Sequence, residues 1–333
     1  MKKTVIKNVC ISILTVVIIF GIYLYLGMVL TPKGFDDMGG LKYYSATSYK
    51  YEEKNTVDVM LYGNSDLYAG VSPMEMYGDA GITAFGCGAG RQTMRAIARQ
   101  VKKTFKKYQK PKVVVLEVDC MYYSNVKGGG STVYEAMTFL APLHYHARWK
   151  DLKWRDFVRR PVLKGKDNYL KGYYFSKEIR SYEVGDNYMK DVDAAPATIS
   201  KSVVNDFDKV YKLCKKNNAE LLLFATPSVS TWSHAKNRGV QELVDAYNEK
   251  DENYQINFLD LNLGLEGFDY ETSYYDRGNH CNYFGMKVVT NKLCEYLQEN
   301  YEMTDRRGDD KYKNWDKCLE KYQKYIKKQM PEI

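Results

Sequence analysis

Histidine is scarce in this chain: four among 333 residues, at positions 144, 146, 234 and 280. So few imidazoles leave little from which to build a metal centre, and His144 and His146 have no third ligand close by. Neither a metal nor a cofactor is expected. The seven cysteines never fall in the C-x-x-C spacing of zinc and redox motifs. They are also too sparse for a small disulfide scaffold. Cys120 sits at an expected strand end and Cys214 on an apolar helix face, where thiols behave as small hydrophobes.

Long apolar runs are missing too, with one exception. A mean hydropathy of −0.50 with 27% charged residues excludes a protein of many membrane spans. A hydrophobic share of 45% excludes a disordered chain. The exception is VCISILTVVIIFGIYLYLGMVL, Val9–Leu30, 22 residues without a charge. As a helix it measures about 33 Å, enough to cross a hydrocarbon core of about 30 Å. Lys2, Lys3 and Lys7 precede it, whereas only Lys33 follows before Asp36 and Asp37. The positive-inside rule then puts residues 1–8 in the cytoplasm and the rest outside a cell membrane. A cleaved signal peptide also begins basic, but its apolar core is about 7–15 residues and ends on a small-x-small site. Met28-Val29-Leu30 offers none, so an uncleaved single-pass anchor over 9–30 is expected.

The charge excess is modest. Of the net +8, three charges lie on the stub, leaving +8 − 3 = +5 outside. Lys102, Lys103, Lys106 and Lys107 read as a solvated helix face. An exported domain of this charge is expected to meet cell-wall or surface polysaccharide, not nucleic acid.

Beyond a linker (31–56), short apolar runs alternate with amphipathic stretches. Strands are expected at Val57–Tyr62, Ile82–Phe85, Val113–Val118, Leu221–Phe224 and Asn257–Leu261, and helices near Gln92–Tyr108, Val203–Cys214, Val240–Tyr247 and Tyr283–Asn300. This alternation predicts a three-layer α/β/α (flavodoxin-like) domain over 57–301 with a parallel sheet. Residues 122–198 lack clean periodicity, contain Gly128-Gly129-Gly130, and read as an inserted cap. A polar tail (302–333) carries a helical stripe of Trp315, Leu319, Tyr322 and Ile326. Parallel sheets hold their sites at the carboxyl ends of strands. Ser65, the Gly86-Cys87-Gly88-Ala89-Gly90 turn and Asp119 all fall there. Of the four histidines, only His280 has a carboxylate close by, Asp276, in the loop before the last domain helix. A hydrolytic serine needs such a base and such an orienting carboxylate.

Gly63-Asn64-Ser65-Asp66 after the first strand, with Asp276 and His280 before the last helix, resembles the SGNH/GDSL hydrolase superfamily. The likeness is to its membrane-anchored cell-surface type in Gram-positive bacteria. It extends through Pro111–Glu117, Pro227-Ser228 and His146-Ala147-Arg148-Trp149, from about Val57 to Tyr301. The resemblance implies Ser65 as nucleophile, His280 as general base and Asp276 as its orienting partner. It implies an oxyanion hole from the Ser65 N–H with Gly86 and Gly88, supported by Asn64, Asn279 and Asp119. His146, Arg148, Trp149 and Tyr122 would contact substrate. Three features depart from the pattern. Asn64 stands where Asp is common, Asp276 lies four residues before His280 instead of three, and no block-three Asn follows Val118. The implied activity is an esterase or O-acyltransferase acting on acyl esters of envelope polysaccharide, a transferase needing a multispan acyl-donor protein. The alternative is a non-catalytic accessory protein on the same scaffold.

Overall fold

The computed structural model describes residues 2–31, 33, 48–122, 140–158, 168–180 and 188–331. The chain divides into two compact units, residues 1–39 with 132–163, and residues 40–131 with 164–333. Of the expected cap, residues 123–139, 159–167 and 181–187, including Gly128–Gly130, lie outside the described residues, as do 32 and 34–47 of the linker.

In chain order the main elements are α1 (Lys2–Leu30), β1 (Val59–Gly63), α2 (Ser65–Gly70), α3 (Pro73–Ala80), β2 (Ala84–Gly88), α4 (Met94–Lys103), β3 (Val113–Glu117), α5 (Lys201–Lys216), β4 (Glu220–Ala225), α6 (His234–Lys250), β5 (Asn257–Asp260), α7 (Tyr283–Asn300) and α8 (Lys313–Gln329). The five strands form one parallel sheet in the order β2-β1-β3-β4-β5. The right-handed rule for parallel crossovers puts α2 and α3 on one face and α4 and α5 on the other. Accordingly α7 packs on α2 and α3, and α4 on α5. With both faces covered, β1 to β3 are buried along their whole length, which is why they read as unbroken apolar runs.

The chain leaves β1 toward β2 on one side, and β3 lies on the other. The sheet order therefore reverses between β1 and β3, the switch point at whose carboxyl ends open parallel sheets hold their sites. One strand corrects the sequence reading. Gly86 and Gly88, expected in a turn, lie inside β2, because Leu61 and Gly63 of β1 pair with them in register.

The expected tail stripe is packed: Trp315, Tyr322 and Ile326 on α8 are buried. Tyr322 Oη donates to Glu75 Oε1 at 2.7 Å and Tyr77 Oη to Asp316 Oδ1 at 2.7 Å. Arg306 clasps Asp58 through Nε and Nη2, at 2.7 and 3.0 Å. All six cysteines of the larger unit are buried and unbridged.

The smaller unit is built on α1. It is the one helix among the described residues long and apolar enough to cross a membrane. Short helical turns at Ala141–His144, His146–Asp151 and Trp154–Val158 pack against it.

Candidate active site

The site grows from the ends of β1 and β3. Gly63 closes β1 beneath Glu117, and a Cβ at Gly63 would lie 2.6 Å from the Glu117 Cβ, so only glycine fits. Asn64 then caps α2. Its Oδ1 accepts from the Asp66 N–H at 2.8 Å, and its Nδ2 donates to Asp119 Oδ2 at 3.0 Å. An Asp at 64 would set a second carboxylate against Asp119, which accounts for the amide here. Ser65 follows as the first residue of α2, half-buried, and helix geometry leaves its N–H without an intrahelical acceptor.

His280 is held by its own loop. Asp276 Oδ1 accepts from the His280 N–H at 2.8 Å, and Asp276 Oδ2 bonds the ring Nδ1. Tyr275 N–H donates to His280 O at 3.1 Å, and Tyr274 bridges Cys281 just outside. Arg277 and Gly278 both take left-handed backbone, φ 68° and 94°. With these two reversals the four-residue spacing closes the carboxylate onto the ring. Burial raises the Asp276 carboxyl, but the hydrogen bonds from His280 outweigh it and hold it below its ordinary value. The imidazole is stacked between Tyr275 and Tyr68, at centroid distances of 5.6 and 6.3 Å and angles of 9° and 4°.

The other ring nitrogen is unspent. His280 Nε2 makes no hydrogen bond and lies 3.8 Å from Asp66 Oδ1, on the residue next to Ser65. Asp66 is buried, and its carboxyl is pushed up to about 7, by burial first and by Asp119's charge second, against the opposing pull of His280. Glu117 is raised well above the ordinary range by burial, then by Asp66 and Asp119. Its Oε1 accepts from the Asp119 N–H at 2.9 Å. Lys236 supplies the compensating charge, 2.8 Å from Asp119 Oδ1.

The remaining expected residues are placed as follows. Gly86 donates its N–H to Lys171 O at 2.8 Å, so the expected oxyanion role does not fit it: the donor is already used within the fold. Gly88 abuts the Asn64 carbonyl, while Gly90 faces open space. Asn279 Oδ1 accepts from Ser228 Oγ at 3.3 Å. Tyr122 Oη donates to Lys236 O at 2.6 Å, with the Lys236 ammonium 5.2 Å from its ring centre. His146, Arg148 and Trp149 belong to the smaller unit, not the unit containing Ser65. His146 Nδ1 bonds Leu143 O at 2.6 Å. Among the described residues no group of three or more His, Cys, Asp or Glu side chains is placed to hold a metal.

Sequence reasoning gave Asp66 and Glu117 a place in the motifs but no role, and missed Lys236, Tyr68 and Asn282. Tyr68 was findable, lying three residues after Ser65 on the same helix face. Asn282 caps α7 through Phe284 N and Gly285 N, fixing the end of the histidine loop. Lys236 has no local signal; only the fold brings it to Asp119.

No family model matches this chain, and no curated protein matches its sequence significantly. Solved structures resemble it at low identity. A GDSL-like lipase from Bacteroides thetaiotaomicron VPI-5482 is 12% identical, with a TM-score of 0.39, covering 78% of this chain and 98% of that one. A family 3 carbohydrate esterase from Clostridium thermocellum is 15% identical, with a TM-score of 0.39, covering 73% and 96%. Neighbours this distant assign no role to this protein's side chains.

Proposed function

We propose that this protein is a serine ester hydrolase of SGNH type, anchored by α1 and acting on acyl esters of envelope polysaccharide. One observation carries the chemistry: His280 is gripped by Asp276 on Nδ1 and keeps Nε2 unspent beside the Ser65–Asp66 turn. Ser65 Oγ attacks the ester carbonyl as its proton passes to Nε2, and the imidazolium is stabilised by Asp276. The Ser65 N–H receives the oxyanion. Collapse expels the alcohol, which takes the proton from Nε2 and leaves an acyl-Ser65. Water, or a sugar hydroxyl in a transferase, then attacks the acyl carbon as its proton passes to Nε2, and that proton returns to Ser65 Oγ as the acyl–oxygen bond breaks.

The glycan substrate is supported by the resemblance and by the half-buried rings of Tyr174 and Tyr275, which pack on each other beside His280 and are of a type that suits sugars. A non-catalytic reading is favoured by one fact: no Ser65–His280 hydrogen bond is formed here. Two measurements separate the readings. Full-length protein should turn over an activated acetyl ester, with Ser65→Ala lowering kcat/KM by about 10³-fold or more. A serine-reactive phosphonate should label Ser65. Equal turnover by both proteins together with no labelling would leave the binding protein as the answer.

A further inference from the structure

Most of α1 is bare. Its residues from Lys3 to Leu26 are exposed, apart from half-buried Tyr23, whereas Gly27, Val29, Leu30 and Thr31 are buried. The exposed stretch without a charge, Val9–Leu26, measures about 27 Å as a helix, close to the hydrocarbon thickness of a bilayer at about 30 Å. Where that stretch stops, protein takes over. Arg148 Nη1 donates to Leu30 O at 2.5 Å, capping the helix, while Arg148 Nη2 lies 3.6 Å from buried Asp156 Oδ1. Tyr25 Oη donates to Phe157 O at 3.3 Å. Residues 140–158 are therefore fastened to α1 at the depth where hydrocarbon gives way to headgroups.

That segment presents large apolar side chains outward. Trp154 is 80% exposed and Trp149 66%, with Leu143, Phe157 and Val158 also exposed. In water such a cluster carries a hydrophobic cost. At a headgroup boundary it is favourable, because an indole ring is apolar on its faces and donates through its N–H. Lys150 and Lys153 are exposed beside the tryptophans, against one acid, Asp151. Two lysines to one aspartate suit an anionic lipid surface.

We propose that residues 140–158 form an interfacial platform, with Trp149 and Trp154 seated among the lipid headgroups beside the outer end of α1. The proposal rests on α1 as an anchor and is independent of the chemistry at Ser65. It gives Arg148 and Trp149 work at the membrane in place of the substrate contact expected from sequence. It also favours retention of α1, since cleavage after Leu30 would remove the packing partner of this segment and leave Arg148 without its carbonyl.

The test uses full-length protein in nanodiscs whose lipids carry bromine near the top or near the middle of the acyl chains. Trp232 and Trp315 are buried, so their emission is the background. Shallow bromines should remove most of the Trp149 and Trp154 emission and deep bromines much less. Aqueous acrylamide should have little effect. The exposed positions tolerate Trp149→Phe with Trp154→Phe, and that double variant should lose the quenching while keeping its fold. Strong acrylamide quenching with none from bromine would overturn the platform. So would protection from both quenchers in a cross-linkable dimer, which would make the occupant a second copy. Intact mass showing loss of the first 30 residues would remove the anchor and the platform together. Ester turnover in the same discs, wild type against Ser65→Ala, reports separately on the catalytic reading.

Discussion

The two nitrogens of His280 are treated unequally, and the difference defines the site. Nδ1 is fixed by Asp276, while Nε2 faces Asp66 without a hydrogen bond. Asp66 is thus an ionisable group in direct view of the proposed base. Its folded pKa, about 7, lies above the unfolded value near 3.9. The folded state therefore binds the extra proton between those values, and the stabilisation this brings is lost as pH rises from about 4 through 7. Infrared difference spectra across neutral pH should show a carboxyl band disappearing with rising pH, and Asp66→Asn should abolish it. The same variant should flatten the decline in stability over that range. A band that survives in Asp66→Asn would assign the ionisation to another group, Glu117 being the nearest raised carboxyl.

At the scale of elements, the cap of α2 and the loop before α7 are the parts that decide geometry. Asn64 ties α2 to the end of β3 through Asp119, so one side chain joins the two strands that flank the switch point. Asn64→Asp keeps the cap acceptor but loses the donor and adds a like charge. The new carboxyl would have a raised folded pKa, so the deficit grows as pH rises above about 4. A loss of about 1–3 kcal/mol is expected, larger at pH 8 than at pH 5, read from melting curves. A gap independent of pH would point to packing instead of charge. In the Asp276–His280 loop, left-handed Arg277 and Gly278 turn the chain so that a carboxylate four residues back reaches the ring.

Across the larger unit, the tail is part of the core. Trp315 is buried against Tyr77, their centroids 5.6 Å apart, with the Lys171 ammonium 4.7 Å from its ring centre. Trp315→Ala should cost about 3–5 kcal/mol in urea unfolding, the range for emptying a buried aromatic site. A change below about 1 kcal/mol would show α8 to be dispensable.

The parallel sheet was legible because strands covered on both faces must be apolar throughout, as Val113–Leu116 are, and because helices such as α5 carry their stripe at a regular spacing. The apolar helix α1 was legible for a similar reason, since one long uncharged run stands apart from the rest of the chain. The order of the candidate site residues along the chain, Ser65 first and Asp276 with His280 last, was also readable, because each lies beside a recognisable element boundary. What only tertiary structure decided were the contacts between distant segments. Gly86 is a strand residue because β1 pairs with it, and Asp66 becomes a raised carboxyl because β3 brings Asp119 and Glu117 alongside. Arg148 caps α1 from more than a hundred residues away. Local sequence determines which backbone shapes and which buried faces are available. Charge, proton occupancy and capping between remote side chains depend on distance in space, and only the folded chain sets those distances.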